Sequence, residues 1–211
     1  MRIKLFFVLV VLLLAGGVRA EPVILVFGDS LSAAYGIPRE SGWVQLLARR
    51  LEAQRLPYTV VNASVSGETT AGGLTRLPDL LAVHRPILTI LALGANDGLR
   101  GLPPRHMARN LEAMIELAKK RGSQVLLVGM RLPPNYGTAY TGKFQGVFSE
   151  VAKTGRVRLV PFLLEGIAGN MAYFQADGLH PDARAQPALL DNVWRELAPM
   201  LPRDAGRARR E

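Results

Sequence analysis

A serine, an aspartate and a histidine stand at positions 30, 177 and 180 of a 211-residue chain, in the settings "GDSLS" (28–32) and "DGLHP" (177–181). These three residue types are able to carry out acyl transfer. A serine hydroxyl attacks a carbonyl only when an imidazole takes its proton, and the imidazole needs a carboxylate to fix its tautomer and stabilise its cation. The tetrahedral intermediate also needs donors aimed at its oxyanion. Gly67, in "VSGET" (65–69), and Asn96, in "GANDG" (94–98), are suited to that task. On this reading Ser30 attacks, His180 serves as base and then acid, and Asp177 orients His180. The oxyanion is held by the backbone N–H groups of Ser30 and Gly67 and the side-chain amide of Asn96. Asp177 and His180, three apart in a glycine-containing loop, meet by local folding. Ser30 reaches them only through the tertiary fold.

Taken singly, each residue also has a purely structural reading. Gly-Asp-Ser after a strand is often a helix N-cap, Gly67 a turn residue with positive φ, and Asn96-Asp97 an Asx-turn. Asp29 is read as bonding within its own loop, outside the triad, and Asp97 as support for its loop. His84 and His106 fall in charged helical stretches and read as solvated. Asp79 and Glu112 read as helix-face charges, and Trp43 and Trp194 as core.

The elements around these residues argue for chemistry. "VILVF" (23–27), "YTVVN" (58–62), "ILTILAL" (87–93), "QVLLVGM" (124–130) and "VRLVPF" (157–162) are continuously apolar, as strands buried on both faces of a parallel sheet are. Between them lie amphipathic stretches at 43–54, 72–84, 105–122 and 143–155, and 185–201 closes the series. Alternating strands and helices predict one α/β three-layer sandwich with a five-stranded, mostly parallel sheet. In such a sheet ligands bind beyond the carboxyl ends of the strands. "GDSLS", "NASVSGETT", "GANDGLRG" and the approach to the final helix, "DGLHP", all fall on that rim.

Composition narrows the setting. Residues 1–20 open with Arg2 and Lys4, run apolar from Leu5 to Ala15 and end in Val18-Arg19-Ala20, the parts of a secretory signal cleaved after Ala20. The apolar run is shorter than the ~20 residues a membrane span needs. The expected organisation is a signal (1–20), a single domain (21–202) and a basic tail (203–211), and the expected location is periplasmic or secreted. Net charge is +9; removing Arg2, Lys4 and Arg19 leaves +6. The tail, with four arginines against Asp204 and Glu211, holds +2 of that. This balance is compatible with weak attraction to a membrane surface. No basic strip interleaved with aromatics points to nucleic acid, and no zinc spacing is present. The chain has no cysteine, which excludes disulfides and cysteine-based metal sites or nucleophiles.

"FGDSLS", "VSGET", "GANDGLRG" and "DGLHP", in this order, resemble the four sequence blocks of the GDSL or SGNH hydrolases. The likeness extends through 60–78 and "RLPPNYG" (131–137) and is similar to the thioesterase I/lysophospholipase/arylesterase subgroup. The resemblance implies a flavodoxin-like fold without a sharp nucleophile elbow, no metal or cofactor, and hydrolysis of esters, thioesters and lysophospholipids. It implies catalytic roles for Ser30, Asp177 and His180, and oxyanion roles for Ser30, Gly67 and Asn96. It also implies an acyl-groove wall contacted by Leu132, Pro133, Asn135 and Tyr136, with 73–81 as a mobile lip. The substrate on this reading is a small-molecule acyl ester or thioester, and the protein a monomer. Ala95 departs from the subgroup's usual glycine before the asparagine. Two other readings stand beside this one: a carbohydrate O-deacetylase, and a non-catalytic flavodoxin-like binding module.

Overall fold

The computed structural model describes residues 21–201; the expected signal (1–20), residue 202 and the expected basic tail (203–211) lie outside the described residues. Five strands form one parallel sheet: β1 (Val23–Gly28), β2 (Thr59–Asn62), β3 (Leu88–Ala92), β4 (Gln124–Val128) and β5 (Arg158–Val160). Their order is β2-β1-β3-β4-β5, with Val26 level with Asn62 on one side and Gly28 level with Ala92 on the other. Among the described residues six α-helices flank the sheet, five between strands and the last after β5: α1 (Trp43–Ala53), α2 (Thr70–His84), α3 (Ala95–Leu99), α4 (Pro104–Lys120), α5 (Thr138–Gly155) and α6 (Gln186–Leu197).

The strand period of two divides the apolar residues between two cores. Ile24 and Val26 of β1 pack toward α1 and α6, among Trp43, Leu47, Leu189 and Val193. Leu25 and Phe27 face the other way, among Leu77 and Leu81 of α2, Leu111 and Met114 of α4, and Phe148 and Val151 of α5. Burying each such side chain contributes roughly 1.5–3 kcal/mol, so the sheet is held from both faces. The chain leaves β1 to form β2 on one side and returns to form β3 on the other. The loops after β1 and β3 therefore diverge and open a crevice at the switch point.

Several expectations need correction. β2 is apolar but is an edge strand with one neighbour, and its residues are half-buried or exposed rather than covered on both faces. "GANDGL" is not only a loop, since Ala95–Leu99 is a short helix. The helix expected from 143 starts at Thr138, where Gly137 turns the chain at φ +82° and Tyr140 donates its hydroxyl proton to the Leu102 carbonyl at 2.7 Å. The 73–81 segment is the middle of α2, not a lip. Leu77 and Leu81 are buried in the core, and a Cβ on Gly73 would stand 2.4 Å from Leu93, so this helix lies hard against the sheet. Trp43 is fully buried and Trp194 half-buried, with the Arg50 guanidinium 5.5 Å over its ring. His106 is exposed, whereas His84 is half-buried rather than fully solvated. No helix among the described residues is long and apolar enough to cross a membrane.

Candidate active site

Beyond Gly28 the chain turns rather than entering a helix. Asp29 C=O accepts the amides of Ser32 and Ala33 at 3.1 and 2.9 Å, and Ser30 C=O accepts the Tyr35 amide at 3.2 Å. Among the described residues no backbone amide donates to Ser30 Oγ, and the next α-helix starts only at Trp43, so Ser30 is not an N-cap. Its hydroxyl lies instead 2.9 Å from Nε2 of His180, across 150 positions of chain.

The His180 side is built locally. Gly178 adopts φ +67°, and the tight turn lets Asp177 Oδ1 accept the amides of Leu179 at 2.9 Å and His180 at 3.0 Å. The other oxygen, Oδ2, is 2.6 Å from His180 Nδ1. Those two backbone N–H groups, then the imidazole, hold the Asp177 carboxyl down at about 2. An ionised carboxylate only accepts hydrogen bonds, so Nδ1 carries the proton and Nε2 offers its lone pair to the serine hydroxyl. Tyr35, which the sequence reading did not single out, covers the imidazole with ring centroids 4.6 Å apart. Gln175 ties the two loops by donating to the carbonyls of Tyr35 at 2.8 Å and Pro181 at 3.1 Å.

The remaining polar groups come from the loops after β2 and β3. Gly67 sits at φ +78° in a turn closed by the Glu68 amide on the Val65 carbonyl at 3.1 Å. The amides of Ser30 and Gly67 donate to no group among the described residues, unlike those of Leu31 and Ser32 beside them. Asn96 donates one amide hydrogen to the Glu68 carbonyl at 3.0 Å, and its second hydrogen remains for a ligand. Gly94, not residue 95, takes the left-handed conformation, at φ +119°. Ala95 is the first residue of α3, and its methyl is therefore accommodated.

Asp29 is bonded within its loop, as read, by the Leu31 amide at 3.1 Å, but it is also almost wholly buried. Burial pushes its carboxyl up to about 7, against the opposing pull of the Leu31 amide and His180. Composition and spacing carried no sign of this, because burial is a property of the packed loop.

A 680 Å³ cavity opens beside Ser30 and His180. Ser30, Asn96 and His180 line one end, and Leu132, Pro133, Phe162, Leu164, Met171 and Phe174 continue it. Among the described residues that line it, Arg131 alone carries a permanent charge; it stacks 4.7 Å over Phe162 and lies 3.6 Å from Glu165. Asn135 and Tyr136 are not among the lining residues. The turn at Pro134–Tyr136 sends the Tyr136 hydroxyl back to the Leu99 carbonyl, 3.1 Å away. The wall from 162 to 174 was missed in the sequence, although its apolar character in "FLLEGIAGNMAYF" was a usable signal. No group of three or more histidine or carboxylate residues among those described is placed to hold a metal ion.

The chain is similar to known proteins over most of its length. The model of the GDSL-like lipase/acylhydrolase family matches residues 26–187. Esterase TesA of Pseudomonas aeruginosa is 50% identical over 182 residues, 86% of this chain and 90% of that protein. The thioesterase 1/protease 1/lysophospholipase L1 of Escherichia coli is 37% identical over 197 residues, 93% of each. Among solved structures, the psychrotrophic esterase EstA of Pseudoalteromonas, inhibited by monoethylphosphonate, superposes with a TM-score of 0.82 at 38% identity. That match covers 86% of this chain and 99% of EstA.

Proposed function

Because the chain belongs to the GDSL-like lipase/acylhydrolase family, we propose that it hydrolyses carboxylic esters and thioesters of apolar acyl chains through Ser30, His180 and Asp177. The observation that carries this reading is the unbroken relay from Ser30 Oγ through the imidazole to Asp177, with links of 2.9 and 2.6 Å. Ser30 Oγ attacks the acyl carbonyl while Nε2 takes its proton, and Asp177 stabilises the imidazolium. The oxyanion forms within reach of the amides of Ser30 and Gly67 and the second hydrogen of Asn96. Collapse expels the alcohol or thiol, which leaves with the proton from Nε2, and the acyl group stays on Ser30. A water then gives its proton to Nε2, attacks the acyl-enzyme and releases the acid, returning the proton to Ser30.

The cavity wall supports an apolar acyl chain as ligand. Leu132 and Pro133 contact it in this reading, while Tyr136 braces the wall through its hydrogen bond to the Leu99 carbonyl. The same apolar wall offers little to a sugar ring, which places O-deacetylation of carbohydrate second. A binding module would leave the relay without a task. Partners follow from the same reading: a small-molecule acyl ester or thioester, with the protein acting as a monomer. The basic, apolar and small-residue pattern of residues 1–20 supports an exported setting after cleavage near Ala20, and the net charge of +9 supports a weak association of the protein with membrane surfaces. The decisive test is Ser30→Ala assayed with p-nitrophenyl esters from C2 to C16. Loss of a triad member is expected to cost on the order of 10⁴ to 10⁶ in kcat with the fold retained. Retention of more than about a tenth of the activity would remove Ser30 from the mechanism.

A further inference from the structure

The five-residue helix α3 does more than present Asn96. Three side chains from this helix and its C-terminal edge reach consecutive parts of the segment that carries Gly67. Asn96 Nδ2 donates to the Glu68 carbonyl at 3.0 Å, and the Arg100 guanidinium donates to the Gly67 carbonyl at 2.9 Å. Asp97 accepts from both donors of Thr70, the amide on Oδ2 at 2.8 Å and the hydroxyl on Oδ1 at 2.5 Å. Thr70 Oγ in turn accepts Asn110 Nδ2 of α4 at 3.0 Å. Asp97 and Thr70 are both buried, whereas Arg100 and Gly67 are exposed.

Resting on the proposed oxyanion roles of Gly67 and Asn96, we propose that Arg100 and Asp97 are positioning residues that hold the Gly67 turn and the Asn96 amide as a single unit. The physical need is plain. Gly67 has no side chain to anchor it, its φ is open to a glycine's full range, and it lies at the surface. An untethered glycine turn would wander by more than the fraction of an ångström that an oxyanion donor tolerates. Arg100 is set to prevent that. Its guanidinium nitrogen stands 3.8 Å from where a Gly67 Cβ would be and bonds the carbonyl directly. Asp97 pins the next residues from inside by joining the first turn of α2 to α3. One short helix therefore aligns two donors that follow different strands, Gly67 after β2 and Asn96 after β3.

The test compares Arg100→Ala, Arg100→Lys and Asp97→Asn with the parent enzyme and with Ser30→Ala. Readouts are kcat and KM for p-nitrophenyl butyrate, inhibition by an alkyl boronic acid that forms a tetrahedral adduct on serine, and the thermal midpoint. Arg100→Ala is expected to lower kcat by about tenfold to a hundredfold, to weaken the boronic acid by the same factor, and to leave KM within about twofold. Its midpoint should not move, since Arg100 is exposed, and Arg100→Lys should recover part of the loss by donating one hydrogen bond. Asp97→Asn should show a larger fall in kcat; Arg100→Ala keeps the proposal testable if that buried variant does not fold. An unchanged kcat in Arg100→Ala, or a loss seen only in KM or stability, overturns the proposal while leaving the triad in place. Activity retained by Ser30→Ala would overturn the underlying reading and this proposal with it.

Discussion

Asp29 gives the protein a stability that depends on pH in a direction opposite to that of most aspartates. Its carboxyl is almost wholly buried, and desolvation lifts it from 3.8 to about 7 despite the Leu31 amide and the attraction of His180, with Asp97 adding to the rise. Between those two values the folded protein keeps a proton that the unfolded chain releases. Stability from this group is complete below about pH 3.8 and is lost as pH rises through about 7. A tenfold difference in proton affinity between the folded and unfolded chain is worth about 1.4 kcal/mol, so the full window amounts to about 4 kcal/mol as an order of magnitude. Asp29→Asn retains an oxygen for the Leu31 amide and removes the titration. Urea unfolding of both proteins at pH 4, 5.5, 7 and 8.5 reads the effect as a difference between them. The other titrating groups, Asp177 included, are common to both and largely cancel. The variant is expected to lie within about 1 kcal/mol of the parent at pH 4 and to gain on it progressively, leading by up to about 4 kcal/mol at pH 8.5. A difference that stays constant from pH 4 to 8.5 would refute the claim that burial keeps this carboxyl protonated.

Other outcomes follow from the site. Asn96→Ala is expected to cost roughly 3 kcal/mol, about a hundredfold in kcat, through a lost oxyanion donor, and an unchanged kcat would contradict that role. Asp177→Asn is expected to lower kcat about 10⁴-fold by allowing the wrong imidazole tautomer, measured with the same ester. In the parent protein the Asp177 carboxyl, held at about 2 chiefly by the His180 and Leu179 amides, contributes stability above its ordinary 3.8. That contribution disappears as pH falls through about 2, so unfolding curves between pH 4 and 2 should weaken less in Asp177→Asn. Ala168, exposed at the cavity wall, tests the acyl chain's course. Ala168→Trp should depress hydrolysis of C12 and longer esters while sparing C4, and equal loss at all lengths would place the chain elsewhere.

Short-range features were readable from residue types. The apolar runs became β1, β3 and β4 because a buried strand needs nothing beyond apolar side chains on both faces. The Asp177–His180 pair was readable for the same reason, being made by one glycine turn and two backbone amides. Edge position was not readable in β2, because exposure depends on which strands flank it. Nor was α3, whose Asn-Asp-Gly run after Gly94 looks like a loop until Asp97 is bonded to Thr70 on another element.

What the chain's order of residues settled by itself was the set of polar residues brought to the sheet's rim, the strands that carry them and the Asp177–His180 pairing made within four residues. The tertiary structure decided the rest: which nitrogen of the imidazole meets Ser30 from 150 positions away, how deeply Asp29 is withdrawn from water, and which apolar segment walls the cavity. The division has one physical cause. Backbone geometry and nearest-neighbour hydrogen bonds act within a turn of chain, whereas desolvation and long-range contact exist only once both cores have closed around the sheet.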